Sequence, residues 1–406
     1  MNTGKAINFR FKPSPLGPIP EDWEVARLGE VAELKQGNVL PTSKLKNEGH
    51  PVYGANGIIG YYERYTHEDE EVLVTCRGST CGTVNLSVPF SFVTNNAMVV
   101  TPVEDGVLDK RFLYYILSFT DLSKTITGTG QPQITKSSLS PIFIPLPPLP
   151  EQRRIAGVLR TVDEAIEKVD EEIEHTERLK RGLMQHLLTR GIGHARFKDT
   201  PIGKIPEEWE VVRLGEVARL ESGGTPNRKR QEYWVNGTIP WLKSGELKDS
   251  FIYDSEEKIT VLALKNSSAK LFPKGTLLVA LYGATVARTG ILSINAATNQ
   301  AICAIMLDKS KLDSLFLQYY LIFKREFLIT KSSGGAQPNI YLYVLRNFPI
   351  PLPPLPEQRK IAEILMTVDR KLELLCQKRD HMERLKKGLM NDLLTGRRRL
   401  RVSNSS

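Results

Sequence analysis

The sequence predicts an α+β chain with a pseudo-two-fold internal repeat: two β-rich domains joined by two long helices that form an antiparallel coiled coil. Three observations carry this. A block near the start returns near the middle, a second block returns at a similar offset, and each copy of the second runs into a long heptad pattern. A repeat of about 200 residues is a duplicated domain, since solenoid units run to roughly 20–45 residues.

The opening block, Gly17-Pro18-Ile19-Pro20-Glu21-Asp22-Trp23-Glu24-Val25 with Ala26–Ala32 after it, returns as Gly203–Val211 followed by Val212–Ala218, an offset of 186. The closing block, Ile144–Ala156 (IPLPPLPEQRRIA), returns as Ile350–Ala362 at an offset of 206, with 12 of 13 positions identical. Each half is a constant frame around a variable insert, and the second insert is the longer. The reading places domains at 1–150 and 191–356, helices at 151–190 and 357–396, and a disordered basic tail at 397–406.

Both inserts alternate short apolar runs with Gly, Pro and Asn. Val72–Val74, Ala97–Val100, Thr276–Val279 and Ala301–Ile305 read as strands, with short helices near Phe112–Phe119 and Leu315–Phe323. After the proline run Pro145–Pro150, which cannot extend a helix backwards, Glu151 sets negative charge in a first helical turn. Ile155, Leu159, Val162, Ile166, Val169 and Ile173 then alternate steps of four and three, as do Ile361, Leu365, Val368, Leu372, Leu375 and, past Arg379, Met382. That is a coiled-coil seam. About 38 residues at 1.5 Å each make a rod of roughly 57 Å, with the domains expected at its two ends. Thr176, Lys180, Arg379 and Lys386 are polar seam positions and candidates for a docking surface.

Composition bounds the function. The 406 residues carry 55 Lys+Arg against 46 Asp+Glu, a net charge of +9, which is globular composition. Residues 1–150 hold 13 basic and 15 acidic groups and residues 191–356 hold 21 and 15, an imbalance compatible with a nucleic acid partner. Cys76, Cys81, Cys303 and Cys376 make neither a disulfide framework nor a Cys-x-x-Cys zinc pair. No apolar run approaches the roughly 18 residues of a membrane span, so a reduced, cytoplasmic protein without membrane contact is expected.

Remnants of the duplication survive in the insert loops. Arg77-Gly78-Ser79-Thr80 matches Tyr282-Gly283-Ala284-Thr285, Thr94-Asn95-Asn96 matches Thr298-Asn299-Gln300, and Gln131-Pro132-Gln133 matches Gln337-Pro338-Asn339. Arg, Asn and Gln can make paired hydrogen bonds to base edges, while Ser and Thr hydroxyls suit phosphates. Lys44, Lys46, Arg228, Lys229, Arg230 and Lys243 could supply sequence-independent attraction. Lys35, Asn56, Thr225 and Arg288 complete the candidate DNA-binding set. Taken singly, Gly78, Gly283, Asn95 and Asn299 read equally well as turn residues; their recurrence points to a binding edge.

Catalytic patterns are missing from the sequence. The six histidines show no metal-ligand spacing, and there is no Walker or Rossmann glycine motif and no Asp/Asn-Pro-Pro-Tyr/Phe tetrapeptide of amino-methyltransferases. Glu33-Leu34-Lys35, Glu246-Leu247-Lys248 and Glu256-Glu257-Lys258 match a nuclease-like tripeptide that arises easily by chance.

Two inserts, each opened by Gly-x-Ile-Pro-x-x-Trp-Glu-Val-x-Arg-Leu-Gly-Glu-Val and closed by Pro-Leu-Pro-Pro-Leu-Pro-Glu-Gln-Arg-x-Ile-Ala and a long helix, resemble the specificity (S) subunit of type I restriction-modification enzymes. The resemblance covers essentially the whole chain. It implies a non-catalytic subunit whose two target recognition domains each read half of a split, asymmetric site on double-stranded DNA. It implies that the helices set the gap and dock two methyltransferase (M) subunits, with up to two restriction (R) subunits as further partners. It also implies no metal or cofactor on this chain, S-adenosylmethionine being expected on the partner methyltransferase. A lone DNA-binding or antirestriction-like module and a protein-binding coiled-coil scaffold are the alternatives, and steep salt dependence separates the DNA readings from the scaffold.

Overall fold

The computed structural model describes residues 10–103, 106–128, 130–331 and 339–400. The chain divides into two compact units, residues 1–171 with 377–406, and residues 172–376. The two long helices, Leu149–Arg190 and Leu355–Leu394, each contribute one half to each unit.

The repeated blocks are neighbours in space. Glu24–Arg27 pairs antiparallel with Phe143–Leu146, and Glu210–Arg213 with Pro349–Leu352. Prolines are tolerated in these ladders because a two-stranded ribbon leaves each strand an outer edge that needs no N–H. The Glu-Gln pair of the closing block has a similar logic. Gln152 accepts from the Asp109 N–H at 2.8 Å and donates to the Val107 and Pro147 carbonyls at 2.9 Å. Gln358 repeats this with Asp313, Lys311 and Pro353, each at 2.8 Å. Both glutamines are fully buried, so each donor and acceptor must find a partner inside the protein.

In the first unit the expected strands fall in a four-stranded antiparallel sheet ordered Ala32–Gln36, Ala97–Pro102, Val72–Thr75, Val84–Leu86, beside a three-stranded sheet of Ile58–Tyr62, His50–Tyr53 and Phe92–Val93. The second unit has a five-stranded sheet, with Ile302–Leu307 between Ala218–Ser222 and Leu277–Ala280, and a four-stranded one. The expected short helices span Lys110–Phe119 and Ser314–Phe323. The offset between matched positions climbs from 186 at Gly37/Gly223 to 204 at Thr94/Thr298, so most of the extra length lies between these points. The elements without a counterpart in the first unit are the Ser250–Ile252 strand, at the edge of the five-stranded sheet, the Leu271–Phe272 strand, at the edge of the four-stranded one, and the Val261–Lys265 helix. At the base of each insert, a Cβ on Gly37 or Gly223 would collide with the Thr94 or Thr298 carbonyl, which requires glycine at both points.

Each unit has its own core, around Trp23, Leu28, Phe112, Leu113 and Leu139 in the first and Trp209, Leu214, Phe316, Leu317 and Leu345 in the second. The long helices begin at Leu149 and Leu355, two residues before the expected starts, because proline is tolerated in a first turn whose N–H groups have no helical partner. Their antiparallel pairing is set within each unit by ion pairs. Lys386 reaches Asp163 and Arg379 reaches Asp170, both at 2.6 Å, in the first; Lys180 reaches Asp369 at 2.5 Å and Lys371 reaches Glu172 at 3.0 Å in the second. Ile155, Leu159, Ile166, Val169, Ile361, Leu365 and Leu375 of the seam are buried, and Val162, Ile173, Val368, Leu372 and Met382 half-buried. The ends of the seam also belong to the domain cores, so each helix covers its own domain as well as its partner.

The expectation of a disordered tail does not hold at Arg399. Its guanidinium donates to Glu151 at 2.6 Å and Asp22 at 2.7 Å, because the Glu151 carboxylate is buried and needs a cation; residues 401–406 lie outside the described residues.

Candidate nucleic-acid interface

In the first unit the matched loops are zipped into one edge. Arg77 and Gln133 form an isolated antiparallel bridge, the Gly78 N–H reaches the Pro132 carbonyl at 3.3 Å, and the Ile134 N–H reaches the Cys76 carbonyl at 3.0 Å. Arg77, Ser79, Asn96, Gln131 and Gln133 line a single surface hollow of about 780 Å³. Arg77 has no acidic partner among the described residues, so its charge is available to a ligand. The second unit repeats the bridge with Tyr282 and Asn339, and the Ile340 N–H donates to the Leu281 carbonyl at 2.7 Å. Gln337 lies outside the described residues.

Several candidates have internal work. Gly78 and Gly283 take φ of 89° and 88°, a turn conformation that glycine adopts without strain. The Asn299 side chain accepts from the Ala301 N–H at 3.1 Å, the Thr80 hydroxyl donates to the Ala55 carbonyl at 2.9 Å, and the Thr225 hydroxyl donates to Gln300 at 2.5 Å. The Asn95 carbonyl accepts from Gln36 at 2.8 Å, and Thr285 closes the turn to Arg288 at 2.9 Å through its own carbonyl. Asn56 is exposed beside Ala55.

The basic candidates divide by whether this chain already neutralises them. Lys35 pairs with Glu33 and Lys46 with Glu63, both at 2.8 Å, and Arg288 pairs with Asp249 at 2.5 Å. Arg228 pairs with Glu257 and lies over Trp234 at 3.9 Å and Trp241 at 4.9 Å, while Lys243 contacts Glu256 at 2.9 Å and Glu257 at 3.0 Å. The Arg228 guanidinium holds the Glu257 carboxyl below its usual range. Arg230 packs on Tyr233 and donates to its hydroxyl at 3.0 Å. Arg77, Lys44 and Lys229 are exposed without an ion pair among the described residues, and cations of this kind meet phosphates at no internal cost.

Two features escaped the sequence reading. Tyr341 and Tyr343, 47% and 65% exposed, stack at 5.9 Å beside Asn339, where the first unit has the hydroxyl pair Thr135 and Ser137 at 2.9 Å. Aligning residues beyond Ile134 and Ile340 would have found them. The other is a clasp at the base of each domain. Trp23 Nε1 donates to Glu151 at 3.1 Å and Trp209 Nε1 to Glu357 at 3.0 Å; Glu357 also accepts from the Ile192 N–H at 2.9 Å and meets His194 Nε2 at 2.8 Å.

The model of the type I restriction modification DNA specificity domain family matches residues 20–175 and 206–384, one match in each half of the repeat. The chain belongs to that family. The MjaVIII specificity subunit of Methanocaldococcus jannaschii is 32% identical over 95% of each chain, and the EcoR124I/EcoR124II specificity subunit of Escherichia coli is 27% identical over 84% of this chain and 85% of its own. The fold is similar to the crystal structure of an S subunit from M. genitalium, with a TM-score of 0.64 at 18% identity, covering 91% of this chain and 96% of that one. As a type I specificity subunit, this chain has the DNA sequence-specificity role in a restriction-modification system. The subunit is non-catalytic, catalysis falling to partner subunits, and the family implies no cofactor on this chain. Among the described residues no helix is long and apolar enough to cross a membrane.

Proposed function

We propose that each β-rich domain reads one half of a bipartite, asymmetric site on double-stranded DNA, and that the paired helices fix the gap and dock two methyltransferase subunits. Those subunits bring S-adenosylmethionine, up to two restriction subunits join them, and the assembly works in the cytoplasm. The observation that carries this reading is the recurrence of one loop edge, Arg77–Gln133 and Tyr282–Asn339, on two copies of one fold. The two edges differ in chemistry, as two different half-sites require. The bases are read by the candidate residues on these edges, with Arg77, Lys44 and Lys229 meeting phosphates. Leu179, Leu374 and Leu385 are 48%, 65% and 48% exposed on the long helices and give a methyltransferase apolar surface to cover.

The test is to co-express the chain with its methyltransferase and map adenine methylation by single-molecule sequencing. A split motif with one fixed gap is expected. Failure to assemble, with no new methylation, would favour a lone DNA-binding module.

A further inference from the structure

Two lysines at equivalent seam positions, expected to face a docking partner, instead close a three-way junction in each unit. In the first, the Tyr115 hydroxyl donates to Asp163 Oδ2 at 2.7 Å and Lys386 Nζ donates to Asp163 Oδ1 at 2.6 Å. In the second, Tyr319 donates to Asp369 Oδ2 at 2.7 Å and Lys180 to Asp369 Oδ1 at 2.5 Å. The three groups come from three elements: the tyrosine from the short helix of the reading domain, the aspartate from the long helix leaving that domain, and the lysine from the other long helix.

We infer that these Tyr–Asp–Lys triads are register keys, which seat each reading domain at one position along the paired helices and so help to set the gap between the half-sites. This rests on the specificity reading above. A polar group in an otherwise apolar seam specifies register at some cost in stability. Sliding one helix past the other by a turn moves its lysine about 5.4 Å, well beyond hydrogen-bond reach. The tyrosine holds the same carboxylate, so the aspartate meets the lysine from a position that its own reading domain fixes. The other inter-helix pairs are weaker candidates. Arg379–Asp170 and Lys371–Glu172 have side chains 44–54% exposed, against 22–36% in the triads, and exposed ion pairs contribute little.

The test uses the full chain in complex with its methyltransferase, on a library of sites whose gap varies by single base pairs. Lys386→Met and Lys180→Met should each raise methylation at neighbouring gaps, relative to the native gap, by about tenfold, with the half-site bases unchanged. Tyr115→Phe and Tyr319→Phe keep the ring packing and should shift the distribution the same way by less. If a lysine variant fails to assemble, the corresponding phenylalanine variant decides. A wild-type split site whose gap stays fixed in every assembled variant overturns the inference alone. A wild-type complex that methylates no split site overturns the specificity reading, and the inference with it.

Discussion

In the first unit Glu151 is held by a guanidinium that arrives from beyond the second long helix; in the second, Glu357 is held by a peptide N–H and an imidazole that follow the first long helix. What the repeat keeps is the carboxylate acceptor, buried in the first unit and largely so in the second, and the tryptophan that donates to it. The remaining donor varies, because a buried carboxylate needs its lone pairs satisfied and several donor types can do so. The strengths differ, however. Arg399 bridges two carboxylates through paired, charged hydrogen bonds, and its bond to Asp22 holds that carboxyl below its usual range. The repeated frame keeps its geometry and leaves the local chemistry free.

Removing the part that both units share has the largest expected effect. Trp23→Ala and Trp209→Ala each delete a fully buried indole and should destabilise their own unit by about 4 kcal/mol. Amide hydrogen exchange resolved by unit checks it: loss of protection confined to one unit is expected, and equal loss in both would show that the units do not fold as separate bodies. Removing the variable part comes next. Arg399→Met leaves Glu151, only 3% exposed, with the indole as its one described donor, and should cost the first unit roughly 2–3 kcal/mol. His194→Ala should cost the second roughly 1 kcal/mol, since Glu357 keeps Trp209 and Ile192. Equal losses in urea unfolding would mean that the guanidinium adds nothing over the imidazole.

The reading edges offer a comparable contrast. Tyr343→Ala should weaken binding to the cognate site about tenfold without changing the salt slope, because stacking carries no charge. Arg77→Gln should instead lower the salt slope by about 1. Titrations at several salt concentrations distinguish the two, and identical slopes for both variants would remove Arg77 from the phosphate contacts. The smallest effect concerns alkali. Burial, then the bond to Asp163 or Asp369, pushes the Tyr115 and Tyr319 hydroxyls above their ordinary value of 10.0. The stabilisation is therefore fully present below pH 10.0 and is lost as pH rises beyond it, when the unfolded chain releases protons that the folded chain keeps. Tyr115→Phe should flatten that alkaline decline for the first unit only; an unchanged decline would show that another group titrates there.

The duplication, helix starts, seam and principal strands were legible in the sequence because each is a local pattern or a literal repetition. A proline run admits a helix only at its end, where Pro150 takes the first turn, and a heptad of Ile, Leu and Val reports its own buried face. The joining of Arg77, Gln131 and Gln133 was half legible, through their matched counterparts. The fate of Arg228, Lys243 and Arg288 was not: their carboxylate partners lie 13 to 39 residues away, and the meeting depends on how the sheets stack.

Lys180 and Lys386 mark the boundary between the two kinds of knowledge. Their equivalent places in the two seams follow from counting residues, since helical periodicity is a property of the chain itself. Their partners do not, because Asp369 and Asp163 stand on the opposite helix, and only antiparallel packing at one register brings a lysine, an aspartate and a domain tyrosine within hydrogen-bond reach. The sequence alone determined that this is a duplicated DNA-specificity chain. The tertiary structure decided which of its charges are spent inside the molecule, because that depends on distances packing sets and sequence separation does not.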